Sequence, residues 1–120
     1  MSAAREPAET TAERVARNDA MFREANEEIR ATAERSGMEG LLPALCECAD
    51  PTCTELVQLT PQEYETVRSN STWFINLRGH QVNGQGWVRV LSENSRFVLV
   101  EKVGEAGKIA DQLDPRSPSE

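Results

Sequence analysis

Aromatic side chains are scarce in this 120-residue sequence, at 5% of residues, and the chain contains one histidine and three cysteines. A low aromatic content leaves few large groups to fill a hydrophobic core, so a domain of this length benefits from an additional stabilising element. No apolar run reaches the length that crosses a membrane, and the N-terminus lacks the apolar segment of a signal peptide. These absences predict a soluble, cytoplasmic chain that forms one domain.

The chain also lacks a basic segment. Acidic residues outnumber basic ones by 20 to 13, which gives a net charge of −7, and the excess is spread along the whole sequence. Nucleic-acid binding relies on clustered Lys and Arg that displace counterions from phosphates. We therefore expect no direct contact with nucleic acid and none with a membrane, and another protein is the expected partner.

One long N-terminal helix is predicted over residues 8–36. This segment is rich in Ala, Glu and Arg without internal Gly or Pro, and Gly37 follows as a stop. Val15, Phe22 and Ile29 recur every seven residues and form a narrow apolar stripe. The repeat is shorter than a coiled coil needs, so we expect the stripe to pack on the protein's own sheet, while a homodimer formed through this helix stays open.

The rest of the chain predicts short strands and two short helices. A middle helix is expected after Thr60, because Thr60 can cap it, Pro61 suits its first turn and Glu63 closes a capping box. Residues 104–113 predict a terminal helix. Strand composition occurs at 41–48, 54–59, 73–77, 87–91 and 96–102, with the last two forming a hairpin.

These elements predict an α+β fold. A long N-terminal helix should lie against a small antiparallel sheet that ends in a C-terminal hairpin. We expect one domain over residues 9–111, and we expect disordered tails at 1–8 and 112–120, where polar residues show no periodicity.

The three cysteines all fall within the stretch "CECADPTC". In an extended strand, residues i and i+2 project from the same face, so Cys46 and Cys48 should present two sulfur atoms side by side. The Asp-Pro turn that follows should bring Cys53 back towards them. Glu47 and Asp50 are expected to face solvent.

A fourth ligand is expected from His80. A structural zinc site takes four ligands in a tetrahedron, usually Cys or His, and His80 is the one histidine of the chain. Gly79 before it should let the backbone turn and aim the imidazole at a neighbouring loop. The sequence therefore predicts a zinc site formed by Cys46, Cys48, Cys53 and His80.

Three other interpretations of the cysteines stay open. They could be small buried core residues. Cys48 and Cys53 could instead close a labile disulfide in a redox site, although no C-x-x-C motif is present. If His80 is not a ligand, a water could occupy the fourth position of a catalytic zinc, with Glu47 or Glu55 nearby.

The order and spacing of several motifs resemble a family of small uncharacterised actinobacterial proteins. The run "RNDAMFREANEEIR" precedes "CECADPTC" and "LTPQEYETVR", and "GH", "RFVLVEK" and "DPR" follow, so that the likeness covers about residues 17 to 116. Cys46, Cys48, Cys53 and His80 fall on the C-x-C-x4-C…G-H signature of that family. The resemblance implies the same four-residue site and supplies no substrate.

Together these features predict a small zinc-stabilised interaction or regulatory module that is not an enzyme and acts through protein contacts. A thiol-based redox or metal sensor is the alternative. A zinc enzyme with an open coordination position is the third hypothesis.

Overall fold

The computed structural model describes residues 12–84 and 86–116. The expected tail at 1–8, the first residues of the predicted long helix and the last four residues of the chain lie outside these ranges. The helices are α1 (Ala12–Arg35), α2 (Pro61–Arg68) and α3 (Gly104–Leu113), with a short 3₁₀ helix at His80–Gly84. The strands are β1 (Leu42–Leu45), β2 (Leu56–Leu59), β3 (Trp73–Asn76), β4 (Val88–Glu93) and β5 (Val98–Lys102).

The strands form two antiparallel sheets rather than the single sheet that we expected. β1 pairs with β2, and the other sheet has the order β3-β5-β4. The predicted C-terminal hairpin is present as β4 and β5, with a bulge between Val90 and Ser92. The α+β fold class is therefore confirmed.

Helix α2 begins as the sequence predicts. The Thr60 hydroxyl accepts a hydrogen bond from the Glu63 backbone N–H, and the Glu63 carboxylate accepts one from the Thr60 N–H. This capping box satisfies donors that the first turn of a helix otherwise leaves free. Tyr64 and Val67 point inward from α2 and are buried.

The buried face of α1 differs from the expected one. Val15 is buried, but Phe22 and Ile29 are only half-buried, while Asp19, Arg23 and Asn26 are almost completely buried. The apolar heptad therefore does not define the packing face. Polar side chains can line this face because each finds a compensating partner on the elements packed against it.

Asp19 and Arg23 pair with groups in the three-stranded sheet and in the turn before β3. Asp19 forms an ion pair with the buried Lys102 of β5. Arg23 donates to the backbone oxygens of Ser71, at 3.0 Å, and Trp73. The guanidinium carbon of Arg23 also lies 3.7 Å from the centroid of the Phe74 ring, a cation–π contact.

Asn26 closes the free edge of β1. The Cys46 N–H donates to Glu55 O, so in the antiparallel pattern the N–H and C=O of Leu45 point away from β2. The Asn26 side chain bonds both groups: it accepts a hydrogen bond from the Leu45 N–H at 2.7 Å and donates one to the Leu45 C=O at 3.0 Å. The backbone of Pro43, two residues earlier, also faces away from β2. Proline has no N–H, so no donor is left without a partner there.

The C-terminal segment makes more contacts with the helices of the domain than we expected. We placed the end of the domain at residue 111, whereas α3 continues to Leu113. Asp114 then pairs with Arg68 at 2.5 Å, and Arg116 pairs with Glu27 of α1 at 2.7 Å. These contacts hold residues 114–116 against α1 and α2.

None of the helices in the described ranges is long and apolar enough to cross a membrane.

Candidate metal centre

The predicted ligands converge at one point. The Sγ atoms of Cys46, Cys48 and Cys53 and a ring nitrogen of His80 all lie within 4.8 Å of one another. The Nδ1 atom of His80 is 3.6 Å from the sulfur of Cys46, 3.8 Å from that of Cys48 and 3.5 Å from that of Cys53. One imidazole nitrogen therefore faces all three sulfur atoms, and the four residues form a cluster that could bind a metal ion.

Two cysteines come from the segment directly after β1. The β1–β2 ladder continues to Cys46 through its N–H bond to Glu55 O, at 3.0 Å. The Glu47 N–H then donates to Ile75 O of β3, at 2.8 Å. Cys46 and Cys48 bring their sulfur atoms to the same place, as the i,i+2 spacing of an extended segment predicts.

Cys53 returns through a tight turn. The Cys53 N–H donates to Asp50 O at 3.1 Å, and the Asp50 carboxylate accepts from the Thr52 N–H at 2.9 Å. Such Asx turns are the reason that Asp is frequent in tight loops. The turn brings Cys53, which is separated from Cys48 by four residues, back into the cluster.

His80 reaches the cluster from the far end of β3. Gly79 adopts φ +95°, a conformation that L residues with side chains rarely adopt, and the His80 N–H then donates to Leu77 O at 2.9 Å. The short 3₁₀ helix begins at His80. The predicted role of Gly79 in turning the backbone is thus present.

N–H groups surround the sulfur atoms. The Leu77 backbone N–H donates to Cys46 Sγ at 3.1 Å, and the Asn83 side-chain amide donates to Cys48 Sγ at 3.4 Å. Backbone amides of Asp50 and Glu55 also bond Cys48 and Cys53. Donors placed in this way stabilise thiolates, which are the form of cysteine that binds metals.

The thiols of Cys46 and Cys48 change each other's pKa. A hydrogen bond between the two raises the pKa of Cys46, which burial raises further. The same bond lowers the pKa of Cys48 to about 4. Burial raises the pKa of Cys53. Because cysteine binds metals as a thiolate, binding of a dication at this cluster would release protons from the thiols.

Glu47 is buried, so the expectation that it faces solvent is wrong. Its side chain lies in the interior beneath α1 and is 0% exposed. Its carboxylate accepts from Asn26 Nδ2 at 2.9 Å and from the Ile75 N–H at 3.2 Å, and lies 3.5 Å from Arg23 Nη2. Asp50 is partly exposed.

The sequence alone did not identify Asn26, Arg23 or Asn83 as residues that support the site. Arg23 and Asn26 are three residues apart and share a helix face with Asp19, which a helical periodicity can show. Their polarity, however, is typical of a solvent-facing position. Asn83 lies in a loop without any periodicity, so no local signal marks its contact with Cys48.

No protein-family model, curated protein or solved structure matches this chain. The resemblance to the small actinobacterial proteins therefore stays a prediction.

Proposed function

We propose that this protein is a small zinc-stabilised interaction or regulatory module that is not an enzyme and acts through contacts with another protein. The observation that carries the proposal is the convergence of three cysteine sulfurs on one nitrogen of His80.

The spacing of these atoms suits zinc. Tetrahedral zinc with Zn–S bonds of about 2.3 Å and Zn–N bonds of about 2.0–2.1 Å requires sulfur–nitrogen separations of about 3.6 Å. The three separations here are 3.5, 3.6 and 3.8 Å. Three thiolates and a neutral imidazole are also a donor set that zinc takes in structural sites.

The four donors favour a structural role for the metal. A catalytic zinc keeps one position for water or substrate, whereas four protein ligands fill a tetrahedron. N–H groups donate hydrogen bonds to the sulfur atoms of Cys46 and Cys48. These bonds would reduce the negative charge of the thiolates around the ion.

Zinc binding would stabilise the folded state of the chain. The ligands come from two segments that are distant in sequence, at 46–53 and at residue 80, and the cysteines belong to the core cluster that also includes Val57, Tyr64 and Ile75. An ion that binds the folded chain and binds the unfolded chain poorly adds its binding free energy to the stability. This contribution would compensate for the small number of aromatic side chains in the core.

The test is metal analysis of protein purified without added metal, followed by chelation. We expect stoichiometric zinc, and we expect its removal to abolish the tertiary structure. The variant His80→Ala should lose zinc together with the fold, whereas Val82→Ala, at a residue 62% exposed in the same 3₁₀ helix, should retain both. A folded protein without metal would overturn the proposal, and zinc retained in His80→Ala would favour an open, catalytic site.

A thiol-based redox or metal sensor is the second candidate, and the closeness of the three sulfur atoms favours it. Hydrogen peroxide could take two electrons from two of the metal-bound thiolates and two protons from solvent, forming one disulfide and two molecules of water and releasing the metal. This candidate predicts that mild peroxide releases zinc and joins two cysteines while most of the domain stays folded. The structural role predicts instead that zinc release and unfolding occur together.

A further inference from the structure

The outer face of the β1–β2 sheet is apolar and open to solvent. In the antiparallel register, Leu42, Ala44, Val57 and Leu59 share the inner face and are buried. Pro43, Leu45, Leu56 and Gln58 share the outer face. Leu56 is 50% exposed, and Leu41, directly before β1, is 51% exposed. Three of the four outward positions are therefore apolar, although this face has no cover within the described ranges.

A groove adjoins this face, between the C-terminal half of α1 and β1. It has a volume of about 290 Å³ and is lined by Ile29, Thr32, Ala33, Met38 and Pro43, with Glu28 beside them. Met38 is 51% exposed. We call Ile29, Met38, Leu41, Pro43 and Leu56 the outer patch. Exposed apolar side chains grouped in this way are typical of interaction sites in soluble domains.

A partner strand cannot pair with β1 beside this patch. The outward N–H and C=O of Leu45 are both bonded to Asn26, and Pro43 has no N–H. Strand addition needs a row of free backbone donors and acceptors. On the β1 side, an occupant must therefore bind through side chains, which is how an amphipathic helix occupies an apolar groove.

The charged residues around the patch indicate which kind of partner can bind there. Glu28 lines the groove, Glu24 lies one helical turn before it on α1, and Glu39 follows Met38; all three are exposed. Arg35 is on the same side and donates to Thr32 Oγ1 at 3.2 Å. A second copy of this chain would bring the same carboxylates and the same net charge of −7 to the interface, which is unfavourable.

We propose that the outer patch binds a helix of another protein that has an apolar stripe flanked by Lys and Arg. This inference rests on the proposed function as an interaction module and names the surface and the class of partner. The apolar stripe enters the groove beside Met38, and the cations of the partner pair with Glu28 and Glu39.

The test uses the zinc-loaded full chain and two synthetic amphipathic helices, one of Leu and Lys and one of Leu and Glu with the same apolar stripe. We expect the Leu/Lys helix to bind more tightly by at least about tenfold, with NMR shifts centred on the outer patch. Met38→Gln combined with Leu41→Gln should weaken binding by about tenfold or more, because both apolar contacts are lost. Met21→Gln is the matched control, since Met21 is 59% exposed and lies outside the patch.

Three results would overturn this inference: no binding of the Leu/Lys helix, equal binding of both helices, or shifts centred elsewhere. A concentration-dependent dimer that the Met38/Leu41 double variant abolishes would show that a second copy is the occupant. Zinc content and the effect of chelation are measured on the same samples. Loss of peptide binding with zinc and fold intact therefore overturns this inference alone, while a metal-free folded chain overturns the proposed function.

Discussion

The side-chain amide of Asn26 donates a hydrogen bond to the carboxylate of Glu47 across 2.9 Å, and both residues are buried. Asn26 belongs to α1, and Glu47 stands between two of the proposed metal ligands. The same amide also bonds the backbone of Leu45. One side chain of α1 therefore bonds both the Leu45 backbone and the Glu47 carboxylate. Through these bonds, the long helix positions the segment that carries Cys46 and Cys48.

Replacing Glu47 by Ala should destabilise the zinc-loaded protein by about 3–5 kcal/mol. The buried positive charge of Arg23 would then lack the carboxylate that compensates it. Urea unfolding followed by circular dichroism measures the change. Glu55→Ala is the control, since Glu55 is exposed and its loss should change stability by less than about 0.5 kcal/mol. Similar effects of the two substitutions would contradict a role for the buried carboxylate.

Asn26→Ala should cost about 2–4 kcal/mol, because the N–H and C=O of Leu45 would both lose their partner. Asn18→Ala removes one longer bond, 3.3 Å, to Ala49 O and should cost about 1 kcal/mol or less. Thermal unfolding of the two variants gives the comparison. If both lose the same stability, closure of the β1 edge by Asn26 is not important to the fold.

Gly79→Ala should lower zinc affinity as well as stability. Its backbone has φ +95°, and an added Cβ would meet no atom within 4 Å, so the cost of about 1–2 kcal/mol comes from backbone conformation. Relief of that strain would turn His80 away from the sulfur atoms. Gly37→Ala is the matched control, because Gly37 also has a positive φ, +70°, with open space around it. Competition with a chelator should show weaker zinc binding for Gly79→Ala only.

Glu27 should contribute stability that depends on pH. Burial raises its pKa, but hydrogen bonds from Arg116, Tyr64 and Arg68 outweigh burial and lower the pKa from 4.5 to about 2. A carboxyl with a depressed folded-state pKa stabilises the fold above its unfolded pKa, and this contribution is lost as pH falls towards the folded value. Because the side chain is partly exposed, we expect a contribution of about 1–2 kcal/mol near neutral pH.

The measurement is the free energy of unfolding of the wild type minus that of Glu27→Gln, at several pH values. Both proteins have the same proposed zinc ligands, so any effect of pH on those ligands cancels in this difference. It should be constant above about pH 5.5 and should shrink by about 1 kcal/mol by pH 3.5. A difference that does not change with pH would show that the three donors do not lower the pKa of Glu27.

Several elements follow from local sequence because their signals are short-range. The capping box at Thr60 and Glu63, the hairpin of β4 and β5 and the helix at residues 104–113 depend on residues a few positions apart. The spacing of Cys46 and Cys48 likewise indicates their common direction, since side chains alternate along an extended segment. His80 was identifiable by chemistry, because it is the one histidine available to complete four ligands.

The packing of α1 could not be predicted in this way. The regular spacing of Val15, Phe22 and Ile29 favoured an apolar face, yet Asp19, Arg23 and Asn26 are almost completely buried. Burial of a polar group is favourable only when a partner is present. Those partners are Lys102, Glu47 and Leu45, which are between 19 and 83 positions away, so the local pattern contained no information about them.

The sequence by itself determined the fold class, most element positions and the set of residues able to hold a metal ion. Each of these depends on backbone preferences, on alternation or on the chemical type of the side chains. The tertiary structure alone decided that α1 packs through a polar face, that Glu47 is buried behind the cysteines and that the strands divide into two sheets. The reason is that the free energy of a buried charge or amide is set by the groups around it, and only the folded chain brings those groups together.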